Sequence, residues 1–292
     1  MLPFLYTASK HIVRILQGWL VTVCAILNIK VNFFERQRFM LLKYEDGYKE
    51  HEYSYSASAN FEESTPAGPG NDVADVLIVS FAGSTLVVGG FPRAEFQKTL
   101  LTVSQDNNLK VDLLFVTDPS QAFYLKHSSG RWDSGDFYAA NLDRISSRYS
   151  KVLAIGSSMG ATAILHLAGR FTCHTAVVFN PLVDLMRESR TLFWFGGLRV
   201  PLAIRRNLPS LIARQFNTHS SSPTDCKLVA HISRYSKQDQ QQKEVLVELL
   251  QQRALQVVYH DASAHVLPKI LQERGELVPL LRQTLRVCLC LH

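Results

Sequence analysis

KVLAIGSSMGATAILHLAG, residues 151–169, is the stretch that decides the fold. Lys151–Ile155 is a short continuous apolar run of strand length. Met159–Gly169 is rich in Ala and Leu and ends on a glycine, the residue that most readily closes a helix. Between them lies Gly156-Ser157-Ser158-Met159-Gly160, a G-x-S-x-G pattern in the strand, turn, helix setting that it requires. The physical reason is steric. The middle serine takes a strained conformation that lifts its hydroxyl clear of the sheet, and glycines on either side let neighbouring backbone approach. The helix N-terminus beneath supplies free amides and positive potential. Ser158 is therefore the candidate nucleophile, and Ser157 points elsewhere under this geometry.

The rest of the chain supplies the context. Asp75–Phe81, Val111–Thr117, Thr175–Asn180, Lys227–Ser233 and Leu255–His260 are further apolar runs of strand length. Helical patterns separate them at Arg93–Ser104, Phe137–Tyr149, Asp239–Arg253 and Val266–Arg274, and Glu276–Leu289 reads as a helix interrupted near Pro279. Such alternation predicts an α/β fold, a mostly parallel central sheet with helices on both faces. Phe39–Tyr44 and Tyr48–Tyr55 around Glu45-Asp46-Gly47 predict a hairpin before it, and residues 54–72 predict a loop. Ligands of such sheets bind beyond the carboxyl ends of the strands. Gly89-Gly90 is followed by no Lys-Ser/Thr pair, so it does not read as a phosphate loop.

The element order and the turn at Ser158 resemble the α/β-hydrolase superfamily, over roughly Arg38 to Arg286. The resemblance implies an acid after a later strand and a histidine after the last one, with neither cofactor nor metal. His265 lies in the loop after Leu255–His260, where the family keeps its base. His260, His231 and His166 fall at a strand end, mid-strand and mid-helix and read as structural; the other histidines lie outside the expected junctions. Asp239 is the only acid in the loop after Lys227–Ser233, 81 residues after Ser158 and 26 before His265. It also reads as an N-cap for the helix that follows. Asp184, four residues beyond Asn180, is the rival acid. For the oxyanion, the Met159 amide is one expected donor, and Gly83 or Ser84 in the loop after Asp75–Phe81 the other.

Composition excludes whole classes. Hydrophobic residues are 47% of the 292 and charged residues 19%, too apolar for a disordered chain. The formal net charge is +6, but residues 1–44 carry +5 and residues 182–224 carry +4, leaving −3 on the rest. Without a basic stripe across the fold or a zinc-finger, KH or RNP motif, no nucleic-acid partner is expected. Five cysteines, odd in number and without CxxC spacing, read as thiols in a reducing compartment. That favours a cytoplasmic chain.

Residues 1–37 form a separate apolar and basic segment ahead of a domain over 38–292. Ile15–Ile29 is 15 residues long and holds Gln17, Gly18, Thr22 and Asn28, short of the roughly 20 apolar residues of a membrane span. Two readings stay open: a helix packed on the domain, and an interfacial helix with Lys10, Arg14 and Lys30 near headgroups, which would make the protein peripheral to a membrane. Residues 182–226 read as a cap insertion. Its apolar residues interleave with arginines, Arg205 and Arg206 among them. They read as a solvated rim, as a site for an acyl substrate with an anionic head, or as a membrane contact.

These observations point to a serine hydrolase acting on an ester, thioester or related acyl compound, a small molecule or a lipid. An acyltransferase on the same triad and a non-catalytic hydrolase-like scaffold are the alternatives.

Overall fold

The computed structural model describes residues 39–44, 48–52, 74, 76–84, 95–106, 110–118, 120–187, 200–218, 226–250 and 255–289. The N-terminal segment, the Asp-Gly turn, the loop over 54–72, the Gly89-Gly90 turn and the apolar half of the cap lie outside them.

Eight strands among the described residues make one sheet in the order β2-β1-β4-β3-β5-β6-β7-β8. β1 (Phe39–Tyr44) and β2 (Tyr48–Glu52) form the expected hairpin, and β1 runs antiparallel to β4 (Val111–Val116). β3 (Val76–Phe81), β4, β5 (Lys151–Ser157), β6 (Thr175–Phe179), β7 (Lys227–Ser233) and β8 (Leu255–His260) are parallel. The inner strands are buried along almost their whole length, which is why they read as continuous apolar runs instead of alternating ones. β8 at the sheet edge is only partly covered.

Seven helices among the described residues cover the two faces. α2 (Asp136–Ser146), α3 (Met159–Leu167), α4 (Leu202–Thr218) and α5 (Lys237–Leu249) share one apolar cluster with Phe81, Ala154 and Val178. α1 (Gln97–Asp106), α6 (Leu267–Glu273) and α7 (Leu277–Leu289) share the other with Ile78, Ile155 and Phe179. All nine residues of α3 are buried, so its apolar sequence on every side is that of a central helix.

Several boundaries differ from expectation for local reasons. α5 begins at Lys237 because Ser236, not Asp239, is its N-cap: the Ser236 hydroxyl accepts from the Asp239 amide at 3.3 Å. α7 is continuous, because Pro279 sits in its first turn, where a missing N–H costs no internal bond. The second half of the expected cap is the helix α4. It packs against α3 and α5 and buries Leu208 and Ile212 in their cluster, so it belongs to the covering layer. Cys173 and Cys226 are free thiols, 3.3 Å apart. Among the described residues no helix is long and apolar enough to cross a membrane.

Candidate active site

The parallel strands β3, β5, β6, β7 and β8 all end on one edge, and every expected reacting residue except the arginines comes from a loop on that edge. Register aligns the neighbours: Phe81 lies opposite Gly156, and Ser157 opposite Phe179. Ser158 follows directly with φ 49° and ψ −115°, a positive-φ conformation that is strained for a residue with a side chain. Its amide donates to the Phe179 carbonyl at 2.9 Å and its carbonyl accepts from Thr162 at 2.9 Å, so the surroundings hold the strain. A Cβ on Gly160 would stand 2.8 Å from the Phe81 carbonyl carbon and 2.9 Å from the Ala82 oxygen. One on Gly156 would stand 2.7 Å from the Gly160 carbonyl carbon. The pattern thus requires glycine because backbone passes through the space a side chain would fill.

His265 reaches this turn from beyond β8. Its Nε2 lies 2.7 Å from Ser158 Oγ and its Nδ1 lies 2.6 Å from Asp239 Oδ1. The Asp239 side chain is fully buried, whereas the imidazole is 20% exposed. With Ser236 capping α5, the Asp239 carboxylate sits in the first helical turn with no capping duty, and the positive end of the helix favours its charge. With the carboxylate ionised, His265 Nδ1–H donates to it and Nε2 is left to accept from the Ser158 hydroxyl. Asp184 does not take part: its Oδ1 accepts from the Met186 amide at 2.8 Å and its Oδ2 pairs with Arg187 at 3.1 Å.

Two residues that the sequence reading did not single out, Asn180 and Ser233, hold the histidine loop. Asn180, with φ 43° at the end of β6, donates from Nδ2 to the His265 carbonyl at 2.8 Å and accepts from the Ser233 amide at 3.0 Å. The Ser233 hydroxyl donates to the Ala264 carbonyl at 2.8 Å. An asparagine at the end of an apolar strand is a hint, since Asn tolerates positive φ better than most side chains.

The three histidines read as structural, His166, His231 and His260, bond elsewhere in the fold. His166 donates to the Phe123 carbonyl at 2.8 Å, and burial holds its pKa down at about 4. His231 stacks on Phe179 and bonds His260 at 2.8 Å; burial, aided by His260, holds it at about 3.

Met159 opens α3, so its amide has no acceptor within the helix. Across from it, the loop Ala82–Ser84 is fixed from below. The Ala82 amide donates to Val116 at 3.0 Å, and the buried Tyr124 hydroxyl lies 2.9 Å from the Ala82 carbonyl. The Gly83 amide donates to the Glu95 carboxylate, and among the described residues nothing accepts from Ser84 N–H. Arg205 and Arg206 lie on α4, half-buried and exposed; no described contact joins them to Ser158 or His265. No group of three His, Cys, Asp or Glu side chains among the described residues could hold a metal ion.

No protein-family model matches the chain, and the search of curated proteins finds no match. Solved structures are similar to it. The capsule O-acetyltransferase of Neisseria meningitidis serogroup A is 14% identical, with 72% of this chain and 87% of that one covered and a TM-score of 0.50. A chain of the Glycosylation Associate Protein (Gap123) complex from Streptococcus agalactiae is 11% identical, with a TM-score of 0.53. The match covers 73% of this chain but only 42% of that one, less than half its length. At these identities the likeness is one of fold.

Proposed function

We propose that this chain, which has the α/β-hydrolase fold, is a serine hydrolase that acts on an ester, thioester or related acyl substrate through an acyl-enzyme intermediate. One observation carries the reading: a single imidazole, that of His265, touches Ser158 Oγ at 2.7 Å and the buried Asp239 carboxylate at 2.6 Å. A serine hydroxyl is a poor nucleophile until a base removes its proton, and a neutral imidazole oriented by a carboxylate is such a base.

The steps balance without any further group. Ser158 Oγ attacks the acyl carbon as His265 Nε2 takes its proton, and Asp239 stabilises the imidazolium. The carbonyl oxygen becomes an oxyanion held by the amides of Met159 and of the loop after β3. Collapse expels the alcohol or thiol, which takes the proton from His265. Water repeats the sequence on the acyl-enzyme, releasing the acid and restoring Ser158. An alcohol in place of water would make the same two half-reactions an acyl transfer.

Labelling with a fluorophosphonate tests this. The native chain should label at one site, Ser158→Ala not at all, and His265→Ala at least about a thousandfold more slowly. Native protein that is folded and stays unlabelled would sink the reading. Turnover of a p-nitrophenyl ester with and without added alcohol then separates hydrolysis from transfer by the product formed.

A further inference from the structure

We propose that Glu95 is a positioning residue of the reaction centre, its carboxylate tying Gly83 of the loop after β3 to Ser157 of the elbow, the turn Gly156–Gly160, so that the Ser84 and Met159 amides are the pair presented to the substrate oxygen. The inference rests on the serine-hydrolase reading above.

Three segments far apart in the chain meet at this carboxylate. One oxygen accepts from the Gly83 amide, and the other accepts from the Ser157 hydroxyl at 2.5 Å. The residue is itself anchored. Its carbonyl accepts from the buried Ser80 hydroxyl of β3 at 2.5 Å. Phe96, next in the chain, has φ 64° and sets its ring 5.7 Å from that of Phe179 in the core. The turn before α1 thus holds a strained backbone in one place, and the side chain of Glu95 reaches between the elbow and its facing loop.

The tether decides which amides remain. With Gly83 N–H engaged below, the next amide in the loop, that of Ser84, is the one left at the edge where Met159 N–H stands. Spacing between those two amides depends on how Gly83 is held against Ser157. A Cβ at Gly83 would meet Glu95 Oε2 at 3.0 Å and the Ser157 carbonyl at 3.1 Å, so the three groups are packed without slack.

An ionised carboxylate this close to a developing oxyanion opposes its charge. Burial works against the ionised form too, raising Glu95 to about 6 from 4.5 against the pull of its two hydrogen bonds. Charge is therefore not what this residue supplies; the paired acceptor geometry is. Glutamine can reproduce it, with its oxygen accepting from Gly83 and its amide donating to Ser157.

The test compares Glu95→Ala and Glu95→Gln. Three quantities are read: fluorophosphonate labelling rate, kcat and KM for a p-nitrophenyl ester, and hydrogen exchange of the segment 81–84. Glu95→Ala should lower kcat and labelling about ten- to a hundredfold, with KM within about threefold of native. Its segment 81–84 should exchange at least about tenfold faster. Glu95→Gln should recover most of both losses. Native rates and native exchange in Glu95→Ala would overturn the proposal, and so would a Glu95→Gln as slow as Glu95→Ala.

Where Glu95→Ala does not fold, Ser157→Ala reads the tether from its other end. A severalfold loss in kcat with KM held upholds the tether, and native kcat with native exchange overturns it. Should the native chain not label, the serine-hydrolase reading fails by itself. Exchange of 81–84 in the same variants then still decides whether Glu95 holds the loop.

Discussion

Replacing Gly160 with alanine tests the elbow where its geometry is tightest. The new methyl would stand 2.8 Å from the Phe81 carbonyl carbon, 2.9 Å from the Ala82 oxygen and closer still to the Phe81 oxygen, whereas ordinary contact begins at 3.4 Å. These are backbone atoms, and they cannot swing aside. Phe81 is held in the ladders to β4 and β5, and the Ala82 amide is bonded to Val116 at 3.0 Å. Relief requires α3 and the loop after β3 to separate by about 0.5–1 Å, an overpacking that costs about 1–3 kcal/mol. The same movement pulls the Met159 amide away from the Ser84 amide. A misplacement of that size at a reacting centre costs about a hundredfold in rate.

Urea denaturation reads the first effect and the fluorophosphonate labelling rate the second. Gly275→Ala is the control. Gly275 has φ +72° and nothing within 4 Å of an added Cβ, so it should lose about 1–2 kcal/mol to backbone strain and label at the native rate. Native stability and native labelling in Gly160→Ala would refute the steric account of the elbow. Equal loss of labelling in Gly275→Ala would refute the link between loop geometry and rate.

Four further outcomes are expected. Asp239→Asn should slow labelling on the order of 10²–10⁴-fold, because the amide cannot stabilise the imidazolium. Asp184→Asn should label normally, since that carboxylate serves its own turn and Arg187. His231→Phe should resist acid better than the native chain. The folded pKa of His231 is about 3, below the 6.5 of the unfolded state, so the chain is fully stable above pH 6.5 and loses stability as pH falls below it. By pH 4 this histidine removes about 3 kcal/mol. The difference in unfolding free energy between pH 7 and pH 4 should shrink by that amount in His231→Phe, and an unchanged difference would contradict it. Finally, Arg205→Ala with Arg206→Ala should raise KM for an acyl ester bearing a phosphate or carboxylate and spare a neutral short ester. Equal effects on both would remove these residues from any anion site.

Legibility in the sequence followed the range of the forces involved. The elbow was readable because its requirement is local: a strand, a serine with positive φ, and two positions where backbone excludes a Cβ. His265 and Asp239 were readable because chain order and strand ends place them, given the resemblance. Asp239 stayed ambiguous only as long as the N-cap of α5 was unassigned. Ser236, three residues earlier, carries that duty, which is why a buried carboxylate in the first helical turn can turn toward His265 instead.

Glu95, Tyr124 and Asn180 were not readable. Each acts on a segment remote in the chain: Glu95 on Ser157, 62 residues on, Tyr124 on Ala82, 42 residues back, and Asn180 on His265, 85 residues on. No periodicity or turn preference records such a partner; the partner exists only once the parallel strands have brought five loops to one edge. A single acid before an aromatic, as in Glu95-Phe96, looks like any solvated surface pair. What distinguishes it is that both its oxygens are engaged and the backbone beside it is strained, and both are properties of the folded chain. The proposed nucleophile, Ser158, is thus marked by special local backbone, and the residues that hold its surroundings in register are marked only by tertiary contact. For that reason substitution at Glu95 tests how the loop after β3 is held against the elbow, and substitution at Ser158 tests the proposed nucleophile itself.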